Sequence, residues 1–484
     1  MPARHDLPIG RHEPGEASVR VRKPPPGSRS RLQRVVGMVR LARSRDFTAL
    51  LDDLAQLHPR IGWVPSLNRP FYVVNHPALV QQVLVAHNAT NEKGPGAALL
   101  RTVLGEGLLT AERSRHRQTR RLIQPAFHHR KTEQYAVLMA EVGRTWADQP
   151  RPAALTLDVA MSELTLTVVG RALFGADLTG DLSAIAHSLS TSLEDIGLFL
   201  VVPGGRQYLA TPLPRARRFR RAQAQLRGVV AEVVARRQGS EQHAPGDLLS
   251  DLLAAQAARP DLLSDTQLAD EIVTLLLAGH ETTAMALTWA WLLLAQHPTA
   301  RTRLHAEADA LPQDDAAAAT TPLPWATAVV AETMRLYPPV FAFERVTTVP
   351  LVLDEVEVPA GSTIRMSQWV LHRDPRSWSQ ADEFRPERWL DAAGAFSLSA
   401  PGQPEGAYVP FGKGSRICIG EQFAWVEASL LLARLAARYT VEPNDAGLPA
   451  MRPSVTLRPA HPVHVTLYAR GRGHDDFSSE AGRP

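Results

Sequence analysis

Three observations predict a mainly α-helical fold with small β-sheets. Helical periodicity dominates residues 31–470 of the 484-residue chain. Strand signals are few and far apart, so any sheet must be assembled from distant segments. No internal repeat or long linker divides this stretch, so it is expected to form a single domain. Flanking it, residues 1–30 with their Pro24-Pro25-Pro26-Gly27 cluster read as a flexible leader, and residues 471–484 as a disordered tail.

Pro70–Asn75 (PFYVVN) is short, aromatic and β-branched, and reads as a strand. A basic stretch follows, in which His116 and Arg120 lie four apart and so share one helix face. Pro214–Arg221 (PRARRFRR) reads as a solvated helix start rather than a nucleic-acid patch. The best helix runs from about Ser264 to Gln296. Ser264 and Gln267 have capping-box spacing, and His297-Pro298 supplies the stop. Thr274, Leu275, Ala278, Gly279 and Thr282 fall along one side of it. The small pair Ala278 and Gly279 leaves room for something flat and large, with Glu281-Thr282-Thr283 close behind. Leu351–Met366 alternates around Pro359-Ala360-Gly361, and Val463–Tyr468 gives a late strand. His372-Arg373-Asp374-Pro375 reads as a loop turn without metal-ligand spacing, and His128-His129 as a surface pair.

Composition narrows the function. Hydrophobic residues make up 44% and charged residues 21%, the balance of a globular protein with a large core. A net charge of +4 gives no field for gripping nucleic acid. Lysine occurs only at Lys23, Lys93, Lys131 and Lys413, an arginine bias that carries no functional reading. The lone cysteine allows no intramolecular disulfide and fits a reducing compartment. The first thirty residues hold no apolar run of signal-peptide or membrane-span length and nothing later reaches membrane-span length uninterrupted, so a cytoplasmic protein without a membrane anchor is expected.

That cysteine, Cys418, lies in Phe411-Gly412-Lys413-Gly414-Ser415-Arg416-Ile417-Cys418-Ile419-Gly420, just before an apolar helix from Glu421 to about Ala437. Glycines at 412, 414 and 420 permit a tight loop whose amides can point at one sulfur. The following helix N-terminus is expected to favour thiolate over thiol. Arg416 can pair with an anion.

The decapeptide resembles the cytochrome P450 haem-binding pattern F-G-x-G-x-R-x-C-x-G at every fixed position. Ala278-Gly279-His280-Glu281-Thr282 is similar to that family's oxygen-activation motif A-G-x-[DE]-T. In physical terms, the Thr282 hydroxyl can bond the Ala278 carbonyl and open a local notch, while Glu281 can relay protons. Glu332-Thr333-Met334-Arg335 resembles the family's E-x-x-R, and Phe384-Arg385-Pro386-Glu387-Arg388-Trp389 its P-x-R segment. By that match Glu332, Arg335 and Arg388 brace the cysteine loop from behind, a structural role. Where the family often has W-x-x-x-R, this chain has His116 and Arg120, as in soluble bacterial members. Together the matches span roughly residues 65 to 470.

The resemblance implies a cytochrome P450 fold with haem b buried between the long helix and the cysteine loop. It implies Cys418 as iron ligand, a role in which a thiolate favours O–O cleavage. It implies His116, Arg120, Arg345 and Arg416 toward the propionates, with Phe411, Gly412, Ala278 and Gly279 also bordering haem, and Glu281 and Thr282 as the catalytic pair. The function implied is a monooxygenase inserting one oxygen atom from O2 into an apolar small molecule. Leu275, Ala278, Val340, Phe341 and Phe343 are expected to wall its pocket, with residues near Gly94–Leu104 as a further wall or lid. No flavin or nicotinamide fingerprint occurs, so electrons are expected from a ferredoxin or flavodoxin-type donor with its reductase. A monomer is expected. Gln124-Pro125-Ala126-Phe127, Val201-Val202-Pro203 and Leu457-Arg458-Pro459 look similar to terpene-oxidising bacterial members. A peroxide-driven peroxygenase of the same fold would typically lack the Glu281–Thr282 pair. A non-catalytic haem sensor or carrier would have no need of it.

Overall fold

The computed structural model describes residues 47–64, 69–175, 211–239 and 247–471, together with positions 185, 188, 191 and 209. The leader at 1–30, Val201-Val202-Pro203 and the tail beyond 471 lie outside the described residues.

Eleven helices of ten residues or more occur among the described residues: α1 Phe47–Leu57, α2 Pro95–Leu104, α3 Arg113–Ile123, α4 His129–Asp148, α5 Leu157–Phe174, α6 Pro214–Gln238, α7 Leu248–Ala258, α8 Asp265–Gln296, α9 Pro298–Asp309, α10 Pro324–Leu336 and α11 Glu421–Ala436. The strands are β1 Ile61–Val64, β2 Phe71–Val74, β3 Asn91–Lys93, β4 Ala154–Thr156, β5 Phe343–Thr347, β6 Leu351–Leu353, β7 Val356–Val358, β8 Thr363–Met366, β9 Tyr439–Pro443, β10 Met451–Pro453, β11 Leu457–Pro459 and β12 His464–Ala469.

The central element is α8. Both halves of its capping box form, the Ser264 hydroxyl taking the Gln267 amide and the Gln267 side chain taking the Ser264 amide. Its middle is apolar on nearly every side because it runs through the main core rather than along its surface. It packs closely on α5. A Cβ at Gly279 would lie 2.8 Å from Val169 Cγ2, and the Thr165 hydroxyl donates to the His280 carbonyl at 3.0 Å. Glycine at 279 is therefore needed for helix–helix approach. This corrects the expectation that Gly279 faces the roomy side.

The largest sheet has the order β1-β2-β8-β5-β3, with β2 and β8 parallel and the other pairs antiparallel. A separate apolar cluster that includes Tyr72, Val74, Ile364 and Met366 packs with it. In this sheet Lys93 of β3 sits directly opposite Arg345 of β5. Like charges facing across a ladder are unfavourable unless something answers them. No described helix is long and apolar enough to cross a membrane.

Candidate active site

The cysteine loop is built by its glycines and by a histidine behind it. Gly412 and Gly414 have φ of 72° and 75°, the left-handed region that only glycine enters freely. A Cβ on Gly414 would also lie 2.4 Å from the Leu84 carbonyl oxygen. The Cys418 amide donates to the Phe411 carbonyl at 2.9 Å and closes the loop, while the Phe411 ring packs edge-on against Trp425 of α11. His372 is fully buried. Its Nε2 accepts the Val409 amide at 2.9 Å, and its Nδ1 meets the Met334 carbonyl at 3.3 Å. It lies in the turn its sequence suggested and also pins α10 to the loop. Burial holds its pKa down to about 3.

Cys418 keeps accessible surface, yet it lies deep enough that burial pushes its thiol up to about 11. Those two facts place it on the wall of an interior space. The Gly420 amide and Arg120 pull the value down, and Glu421 adds to it. At the bare sulfur, burial outweighs the Gly420 amide and Arg120 and favours the thiol. A cation at the sulfur would favour the thiolate.

Beside this loop lies a buried group of positive charges. Burial first, then Arg416, Lys93, Arg120 and Arg345 together, hold His116 down to about 3. Lys93 falls to about 7 and Arg345 to about 10, again chiefly through burial and then through neighbouring cations. Among the described residues Glu112 is the one carboxylate hydrogen-bonded to them, and Glu92 acts on Arg416 through charge only. Glu112 takes the Arg416 guanidinium and, at 2.7 Å, the Lys93 backbone amide. Arg416 also donates to the Ala111 carbonyl at 3.0 Å. Its partner in this structure is therefore the anion Glu112. Arg120 joins the two regions. It donates to the Ile417 carbonyl at 2.7 Å, feels the charge of Cys418, and repels a proton on His116. Lys93 and Glu112 were missed in the sequence. The one available signal was that Lys93 is a rare lysine in an arginine-rich chain.

On α8, Ala278 is exposed although Leu277 before it and His280 and Glu281 after it are buried, so the helix borders open space there. The Thr282 hydroxyl donates to the Ala278 carbonyl at 2.9 Å, as its spacing allows. Glu281 points elsewhere. Arg458 of β11 grips it through two nitrogens, and the Thr456 hydroxyl donates to it at 2.6 Å. Burial opposes its charge, but Arg458, His280 and Thr456 together hold the carboxyl below its ordinary value. Glu281 is thus ionised and paired rather than poised as a free acid. Arg458 is a third residue the sequence did not assign.

Of the expected walls, Leu275 is buried, Val340 is exposed, and Phe343 lies under the Arg345 guanidinium at 5.8 Å. Phe341 is a correction: it packs in a separate core cluster with Leu51, Trp369, Val370 and Leu457. Within α2, Leu99, Val103 and Leu104 belong to the main core. His128 and His129 are exposed, the latter paired with Glu133.

Behind the loop the brace closes as expected. Arg335 grips Glu332 through Nε and Nη2, both at 2.8 Å, and Arg388 Nε donates to Glu332 at 3.1 Å. The Trp389 indole adds a bond at 2.9 Å.

The sequence profile of the family described as "Cytochrome P450" matches residues 25–467. The chain belongs to the cytochrome P450 family.

This P450 is 38% identical over 398 residues to cyclooctatin synthase of Streptomyces melanosporofaciens, covering 80% of this chain and 84% of that one. It is 32% identical over 414 residues to pentalenene oxygenase of Streptomyces avermitilis, covering 83% and 88%. Among solved structures, a P450 from Thermus thermophilus superposes with a TM-score of 0.71 at 28% identity, covering 89% of this chain and 97% of that chain. The chain is accordingly a monooxygenase of a haem-thiolate family. Its residues fit such a group: an accessible lone cysteine, a cluster of cations with one carboxylate, and a small exposed residue in mid-helix.

Proposed function

We propose that Cys418 would hold the iron of a haem b, and that His116, Arg120, Arg345 and Lys93, with Arg416 beside Glu112, would hold its carboxylates. The observation that carries this is Arg120, which ties the cysteine loop to a cation cluster lacking enough negative charge. Two carboxylates would answer that deficit. Phe411 and Gly412 shape the sulfur side, and Ala278, with the backbone at Gly279, borders the opposite side.

Bound there, a haem with a thiolate ligand supplies activation of O2 and cleavage of the O–O bond. The rest falls to this chain. Thr282 spends its proton on the Ala278 carbonyl, so its lone pairs remain to hold a water in the notch. Glu281 takes up a proton from solvent when Arg458 moves aside, and passes it to that water. Ala278 and Val340 offer apolar surface to substrate.

We infer a hydrophobic terpenoid as substrate and C–H hydroxylation as the reaction. Support comes from the relatives named for cyclooctatin, cyclooctat-9-en-7-ol and pentalenene. Electrons then come from a separate ferredoxin or flavodoxin-type donor with its reductase. Residues 31–470 act as one catalytic unit in a cytoplasmic monomer, the compartment resting on the single cysteine. A spin-state titration with polycyclic terpenes, fatty acids and macrolides tests the substrate class. Saturable shifts with the terpenes alone are expected, and shifts with only another class would overturn the assignment.

A further inference from the structure

Two adjacent acids in the first half of α8, Asp270 and Glu271, are buried and belong neither to the cysteine loop nor to the brace. Adjacent buried carboxylates are costly unless they hold something. They hold the turn that follows α2. The Glu106 amide donates to Asp270 Oδ2 and the Leu108 amide to Glu271 Oε2, both at 2.8 Å. The turn can come this close because of two glycines. A Cβ on Gly105, at φ 62°, would lie 2.0 Å from the Asp270 carboxylate, and one on Gly107 would lie 2.1 Å from Thr274 Oγ1.

The other end of the same strap grips the cation cluster. Leu109 offers its carbonyl to Lys93, Thr110 to Arg101 and Ala111 to Arg416, and the Glu112 carboxylate takes Arg416. Residues 105–112 therefore run from two carboxylates on α8 to the carbonyls and the carboxylate that arrange the cations.

The two acids are not equivalent. Asp270 has a full counter-charge in Arg227 of α6, at 2.9 Å. Glu271 has none in contact, its bonded partners being the neutral Leu108 amide and Thr119 hydroxyl. We propose that Glu271 is a positioning residue, which docks the 105–108 turn onto α8 through the Leu108 amide and thereby sets the strap that organises the cation cluster. Its consequence for haem rests on the reading of that cluster given above.

The groups facing Glu271 are Asp270 and Thr274 from α8, Arg115 and Thr119 from α3, and the Leu108 amide from the strap. Glu106 lies beyond, paired with Arg101, and Arg227 acts through Asp270. Burial pushes the Glu271 carboxyl up to about 7; the Leu108 amide, Arg115 and Thr119 pull it down, and Asp270 raises it. A carboxyl held above its ordinary value stabilises the docked strap fully at pH below that ordinary value. The stabilisation is lost as pH rises through about 7.

Hydrogen exchange on the haem-loaded full chain tests this. After correction for intrinsic chemistry, amides 106–109 of the native protein are expected to open about tenfold more often at pH 8 than at pH 5.5. Glu271→Gln keeps an acceptor for Leu108, so it should stay protected with no such pH dependence. Glu271→Leu should be unprotected throughout and should lose haem to an apoprotein acceptor several-fold faster. Native exchange that is independent of pH and matched by Glu271→Leu would overturn the proposal. If Glu271→Leu does not fold, the native-against-Gln pH comparison decides alone. Strap exchange as expected with unchanged haem loss would refute the positioning role. Absence of a thiolate-haem spectrum in the native protein would refute the haem reading instead.

Discussion

Two buried arginine clusters flank the cysteine loop, and they are built on opposite principles. In the brace, Glu332 receives Arg335 twice, Arg388, the Trp389 indole and the Arg385 amide, and Arg335 spends its remaining donors on the His372, Ala381 and Glu383 carbonyls. In the other cluster Lys93, His116, Arg120, Arg345 and Arg416 surround one another with Glu112 as their counter-charge. A saturated cluster is complete as it stands and serves structure. An unsaturated one is held together at a cost that an anionic ligand would remove.

The comparison breaks if both clusters respond alike to losing a member. The largest effect is expected at the brace. Glu332→Ala strands Arg335 in the core and should cost about 3–5 kcal/mol in denaturant unfolding. A loss below about 1 kcal/mol would mean that the brace carries little. At the other cluster, Arg345→Met should leave the apoprotein as stable as before or more so, because it removes a repelled buried cation. Haem affinity should fall about tenfold or more, equivalent to roughly 1.4 kcal/mol. Apoprotein destabilisation on the scale of the brace would erase the distinction.

A pH series sharpens it. His116 is held down to about 3 from an ordinary 6.5, so the native state refuses a proton that the unfolded chain accepts. Its contribution is present above pH 6.5 and lost as pH falls from there toward 3. Apoprotein carrying His116→Gln should therefore lose less stability over that interval than native apoprotein, and haem should flatten the native curve. The smallest effect on folding is expected at Thr282→Ala, within about 1 kcal/mol. Product formed per electron consumed should nevertheless drop.

Much of this was legible in the sequence where the information is local. The ends of α8, the Phe71–Val74 strand, the spacing of Glu332 and Arg335 and the cysteine loop each depend on residues a few positions apart. The failures were long-range. Strands of three residues such as β3 and β11 carry no periodicity of their own and exist only through their partners. Lys93 facing Arg345, and Arg458 reaching Glu281, were therefore invisible. The small size of Gly279 does not tell which way it faces. Its neighbour Val169 lies 110 positions away in sequence and decided which way it faced.

On the proposed reading, Cys418 and the unbalanced cations together form a thiolate-haem site. The most direct test is the reduced carbon monoxide difference spectrum of the native chain beside Cys418→Ser. The native protein is expected to show the red-shifted Soret band of a thiolate-ligated haem, and the variant to lose it. A native spectrum without that band, or a variant that retains it, would contradict the account.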